Sequence, residues 1–234
     1  MTHATLSRRR PLSAVAIALV ALLAGLLLAL STTSHDHADA SEGHGHGQTG
    51  AALPKGSQVA FHDQMRKLWE DHVTWTRLAI VTFADGSPGF NATAGRLLQN
   101  QVDIGDAIKP FYGDAAGNTL TSLLHDHITI AVELLQAAKA EDTNAFNDAD
   151  TRWYANANDI ADFLASANPR SWPDSLMRSM MKTHLDQTLS EAADELGGKY
   201  ADSVTEYEAI HLHMLDMADL LSNGIMRAFP QRFR

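Results

Sequence analysis

The sequence has no cysteine, which excludes disulfide staples, thiolate zinc sites, iron–sulfur clusters and thiol nucleophiles together. Any metal must then be held by His, carboxylate, amide or thioether groups. Positive charge is also short. Eighteen Lys and Arg stand against 28 Asp and Glu, a formal net charge of −10. That balance argues against a phosphate-tracking surface, because nucleic-acid affinity depends on cations displacing counterions, so nucleic acid is not an expected partner. The sequence also lacks H-E-x-x-H, G-x-S-x-G and the phosphate-binding Gly-rich loop. No nucleophile–base pair can be named, and an enzymatic activity is expected only if it depends on a metal. Strand-like alternation is missing too.

What is present begins with a leader. Arg8, Arg9 and Arg10 precede Leu12 to Leu30, 19 residues without charge, followed by the small and polar Ser31 to Ser34. A basic stretch before an apolar core is the pattern of a secretory signal. The apolar run is also just long enough to span a bilayer, so residues 1–34 fit either a signal peptide or an N-terminal membrane anchor with its N-terminus inside. Ala38-Asp39-Ala40 is a candidate cleavage site, and Ser7 to Leu12 is similar to a twin-arginine signal with Pro11 at the usual aromatic position. Both routes place the folded part outside the cytoplasm. Residues 1–30 hold three Arg and no acid, so the remainder carries 15 basic and 28 acidic residues, or −13, and should attract cations.

Residues 35–57 read as a disordered His-rich linker. His35, His37, His44 and His46 form two H-x-H pairs among carboxylates and glycines, a composition able to wrap imidazoles around zinc, copper or nickel without a fold. A solvated linker explains the same residues.

Residues 58–234 read as an all-α domain, a six-helix up-down bundle with helices at 58–83, 90–110, 116–139, 144–166, 173–196 and 199–228. The short connections between them make neighbours antiparallel. The six helices divide into three similar hairpins. Leu68 to Thr74 aligns with Leu123 to Thr129 and with Met180 to Asp186, placing His72, His127 and His184 in register. In the second helices Asp103, Asp159 and Asp216 align, at separations of 31, 32 and 32 residues from those His.

Helical spacing puts His72 in the apolar stripe Met65, Trp69, His72, Thr76, Ala79 and Phe83, and His127 in the matching stripe of the third helix. His184 falls at or inside the border of its stripe. Asn100 and Asn156 join the core, and one of His211 and His213 should face inward. A polar layer therefore crosses the middle of the bundle. It has two readings. In one, His and Asn bond to one another and to the repeated Asp and fix helix register. In the other, His72, His127 and His184 converge on one transition metal, with His211 or His213 nearby and with Asn100, Asp103, Asn156, Asp159 and Asp216 orienting the imidazoles. Thioethers at Met180, Met181, Met214 and Met217 suit copper, and carboxylates suit zinc, nickel or iron, so copper or zinc is the expected ion. A di-iron centre is disfavoured because Glu208-Ala209-Ile210-His211 is a single E-x-x-H. Glu133, Glu191 and Glu195 read as exposed helix charges. The aromatic residues, among them Trp69, Trp75, Trp153 and Trp172, read as core and helix-end packing.

The segments Leu97 to Gly105, Ala107 to Gly113 and Trp153 to Ala157, with Gly224-Ile225 and Phe229-Pro230 near the end, resemble a family of exported bacterial helical bundles. The resemblance spans about residues 60 to 230. It implies an all-α fold and carries no activity.

Overall fold

The computed structural model describes residues 57–233. The leader and the residues of the His-rich linker before Ser57 lie outside the described residues. Among the described residues the chain forms six helices, α1 (Ser57–Ala84), α2 (Phe90–Tyr112), α3 (Asp114–Lys139), α4 (Thr143–Ala167), α5 (Asp174–Leu196) and α6 (Tyr200–Ala228), then a 3-10 turn at Pro230–Phe233, with no strand. The expected helices agree with these to within two residues at each end. The difference at α2 has a local cause. Pro110 sits in its last turn, where the missing N–H costs one bond, and the helix runs on to Tyr112 before Gly113, at φ 85°, ends it with a bond to the Lys109 carbonyl.

Each helix packs against the next in sequence, and α6 closes the ring onto α1. The apolar stripes thus meet around a common axis. Phe61, Met65, Trp69 and Val73 of α1 pack with Ile104 and Ile108, Leu120 and Leu124, Trp153 and Ile160, Met177 and Leu185, and Met214 and Met217 of the other five helices. Burying one such side chain stabilises by roughly 1.5–3 kcal/mol. The α2–α3 crossing is close because it is made on Gly105 and Gly117. A Cβ on Gly105 would run into Thr121 Oγ1 and lie 2.7 Å from the Gly117 carbonyl.

The two ends of the ring are sealed differently. At one end the 3-10 turn folds Phe233 between Phe61 and Phe111, at ring separations of 5.3 and 5.5 Å. Buried Trp172, from the α4–α5 connection, donates to the Leu220 carbonyl at the same end. At the other end the Lys139 ammonium caps the carboxyl terminus of α1, donating to the Phe83 and Ala84 carbonyls at 2.8 and 3.0 Å.

Candidate metal centre

His72, His127 and His184 come from α1, α3 and α5, and all three are buried, with 2, 2 and 4% of their surface exposed. They face one another across the axis. The His72 and His184 rings stand 5.8 Å apart, and those of His127 and His184 6.0 Å. Two small cavities, of about 30 and 50 Å³, lie against this layer, and the three imidazoles line both. Met65, Met181, Met214 and Met217 share the wall of the first; Thr76 and Thr188 share that of the second. No carboxylate lines either.

The even helices hold two of the three imidazoles in place. Asn156 Nδ2 donates to the Leu123 carbonyl at 3.0 Å, so its Oδ1 is left to accept from His127 Nδ1 at 2.9 Å. That bond fixes the proton on Nδ1. His127 Nε2 is then a buried lone pair with no hydrogen-bond partner. Around His72 the Gln101 amide donates to the Leu97 carbonyl at 2.7 Å and stands 3.3 Å from His72 Nδ1, while Asn100 Nδ2 donates to the Leu68 carbonyl at 3.0 Å. At His184 the Thr188 hydroxyl gives its proton to the His184 carbonyl at 2.8 Å, and its oxygen lies 3.5 Å from Nδ1.

Burial sets the charge of the layer. Desolvation pulls His72 from 6.5 to about 3, with His127 adding to the effect and Asn100 and Gln101 opposing it. Desolvation likewise takes His127 to about 4, against its bond to Asn156. His184 is lowered well below 6.5 by burial first and then by His72, His127 and His213. All three are neutral near pH 7, the form in which imidazole binds a metal.

The other candidates are placed elsewhere. His213 is half-buried and donates from Nε2 to the Met180 carbonyl at 2.9 Å, and His211 stacks on Tyr207 and lies 3.4 Å from Glu70. Neither lines the cavities. Asp103 pairs with Arg96 at 3.4 Å, and Asp159 and Asp216 are exposed. None of these carboxylates has a hydrogen bond to an imidazole of the layer. His35, His37, His44 and His46 lie outside the described residues. Among the described residues no three His, Asp or Glu groups stand in ready ligand geometry for a metal.

The structure also corrects the reading of two carboxylates. Glu191 and Glu195 are not exposed charges; they are 1 and 5% exposed. The Arg77 guanidinium reaches Glu191 Oε1 and Glu195 Oε2, each at 3.0 Å, and donates to Ser203 Oγ, which donates to Glu195 at 2.7 Å. Burial pushes Glu191 up to about 7 against the pull of Arg77. The signal was in the spacing: His184, Thr188, Glu191 and Glu195 step by 4, 3 and 4 along one stripe of α5. No helix among the described residues is long and apolar enough to cross a membrane.

No family model matches the chain, and neither a curated protein nor a solved structure is similar to it.

Proposed function

We propose that the protein is an extracytoplasmic transition-metal-binding helical bundle, with His72, His127 and His184 as ligands and the His-rich linker as an accessory collector of ions. The observation that carries this reading is the buried His127 Nε2, a lone pair without a partner at a cavity that two further neutral imidazoles share. Leaving such an atom unpaired costs on the order of 1–3 kcal/mol, and a bound cation would remove that cost. Three imidazoles on one ion, with metal–nitrogen distances of about 2.0–2.1 Å, bring ring centres to within about 5–5.5 Å. The His184 ring stands 5.8 Å from that of His72 and 6.0 Å from that of His127, within about an ångström of that spacing for both pairs, so metal binding would require the rings to draw together.

A second reading keeps the layer for register alone, and a specific pattern favours it. Asn100, Asn156 and His213 donate to the carbonyls of Leu68, Leu123 and Met180, in each case the residue four before the layer His. These bonds repeat once per hairpin, and they support a bundle built of three hairpin repeats. They account for Asn100, Asn156 and His213. They leave His127 Nε2 unexplained.

Elemental analysis of the full chain with His35, His37, His44 and His46 replaced by Ser tests the first reading. The expected result is about one tightly held metal per chain, lost in His127→Ala, with a melting temperature that falls on chelation. No metal after supplementation with copper, zinc, nickel and iron, together with no thermal shift, would leave the register reading alone.

A further inference from the structure

We infer that the layer selects a monovalent soft ion, copper(I), bound by His72, His127 and His184 together with a thioether of the Met181–Met214 pair, in preference to zinc or another dication. The inference rests on the reading of the layer as a metal centre and adds the identity and charge of the ion.

The charge count carries it. Every group that lines the layer's cavities is uncharged or apolar, and the nearest buried carboxylates on α5, Glu191 and Glu195, are committed to Arg77. An ion held by neutral donors keeps its full charge inside the bundle. The desolvation cost of an ion grows with the square of its charge, so a dication would lose about four times as much solvation as a monocation of like size. Zinc sites ordinarily offset this with a thiolate, a carboxylate or a bound hydroxide. Here the first is absent from the sequence and the second from the cavity wall.

The donor types point the same way. Thioethers are soft ligands that select copper(I) and contribute little to zinc. Met181 lies three residues before His184 on the same stripe of α5, and its side chain shares the cavity wall with all three imidazoles. Met214 follows His213, and Gln101 follows Asn100, the residue whose hydrogen bond matches that of His213. Gln101 stands against His72. Met214 occupies the position in the repeat that corresponds to Gln101; it is 1% exposed and lines the same cavity as the three imidazoles.

The test is a titration of the full chain carrying the four linker His→Ser changes, with copper(I) under anaerobic reducing conditions against a chromophoric copper(I) chelator, and separately with zinc(II). One copper(I) per chain is expected, with no stoichiometric zinc. Met181→Leu and Met214→Leu conserve volume, so at least one should weaken copper(I) about tenfold or more while the apoprotein melts as before. X-ray absorption should show sulfur beside nitrogen around the ion. Zinc retained at one per chain and lost in His127→Ala would overturn the copper(I) assignment and leave the layer a metal centre. Neither ion bound would overturn both. A copper(I) spectrum with nitrogen neighbours alone, and unchanged affinity in both Met variants, would overturn the thioether assignment.

Discussion

The three imidazoles at mid-bundle and the Arg77–Glu191–Glu195–Ser203 cluster are both buried and both polar, yet they are satisfied in opposite ways. Arg77 lies five residues beyond His72 and Glu191 seven beyond His184, so the two levels are separated by roughly 7 to 11 Å of helix at 1.5 Å per residue. At the ionic level each carboxylate finds the guanidinium at 3.0 Å and Ser203 bridges one side. The cluster is internally complete. At the His level burial has removed the charge instead, and His127 Nε2 remains without a partner. A closed network needs nothing from outside; a layer of neutral donors around a cavity has capacity left for a ligand. That contrast locates the candidate site at the imidazoles and assigns the ionic cluster to the architecture of α1, α5 and α6.

Removing the centre of the ionic cluster should have the largest effect on stability. Arg77→Met leaves Glu191 and Glu195 buried without a cation, and breaking such a pair by one partner costs about 3–5 kcal/mol. Urea unfolding at pH 8 should show this loss, and at pH 5, where Glu191 takes up a proton, a clearly smaller one. An equal loss at both values would mean that the carboxylates are not the reason.

The pH dependence sharpens the comparison, because the two levels titrate with opposite sign. The His values are lowered in the folded state, so their stabilisation is complete above 6.5 and is lost as pH falls toward about 3 to 4. At pH 5 each such His forfeits about 2 kcal/mol, at 1.36 kcal/mol per unit below 6.5. Glu191 is raised, so its contribution is complete below 4.5 and is lost as pH rises through about 7. Between 4.5 and 6.5 three imidazoles work against one carboxyl, and the apoprotein should destabilise on acidification. His127→Phe should shallow that slope and Glu191→Gln should steepen it, as read by unfolding curves across the range. Bound metal should protect against acid until the imidazoles are protonated off it.

Asn156→Ala removes one residue that serves both the imidazole and the backbone, leaving His127 Nδ1–H without its acceptor and stripping the Leu123 carbonyl of its second hydrogen bond, beyond the helical one. A loss of about 1–3 kcal/mol is expected, with weaker metal retention because the tautomer is no longer fixed. Unchanged retention would separate the Asn from the site and leave it a register device.

Much of this was legible in the sequence because the apolar pattern is simple. Steps of 3 and 4 placed the six helices to within two residues and set His72, His127 and Asn156 inside, since in a closed ring every stripe meets the same axis. The last helix was less readable. Two overlapping stripes point to both His211 and His213, and both are half-buried at helix seams, His211 3.4 Å from Glu70 on α1 and His213 bonded to the Met180 carbonyl on α5. Glu191 and Glu195 were misplaced for a different reason. Their periodicity marks them as interior, but a carboxylate is kept inside only by a cation, and Arg77 lies more than a hundred residues away in sequence. Spacing along one helix carries no information about such a partner.

The smallest effects are expected from the aligned aspartates, and they bear most directly on how the layer is charged. Asp103 pairs with Arg96 at the surface, and Asp159 and Asp216 are exposed. Asp103→Asn, Asp159→Asn and Asp216→Asn should each shift unfolding free energy by no more than about 0.5 kcal/mol. Metal stoichiometry should stay the same in all three. If one of them instead lost the ion, a carboxylate would have to reach the imidazoles on binding. The layer would then carry negative charge, and the argument for a monovalent ion would fail with it.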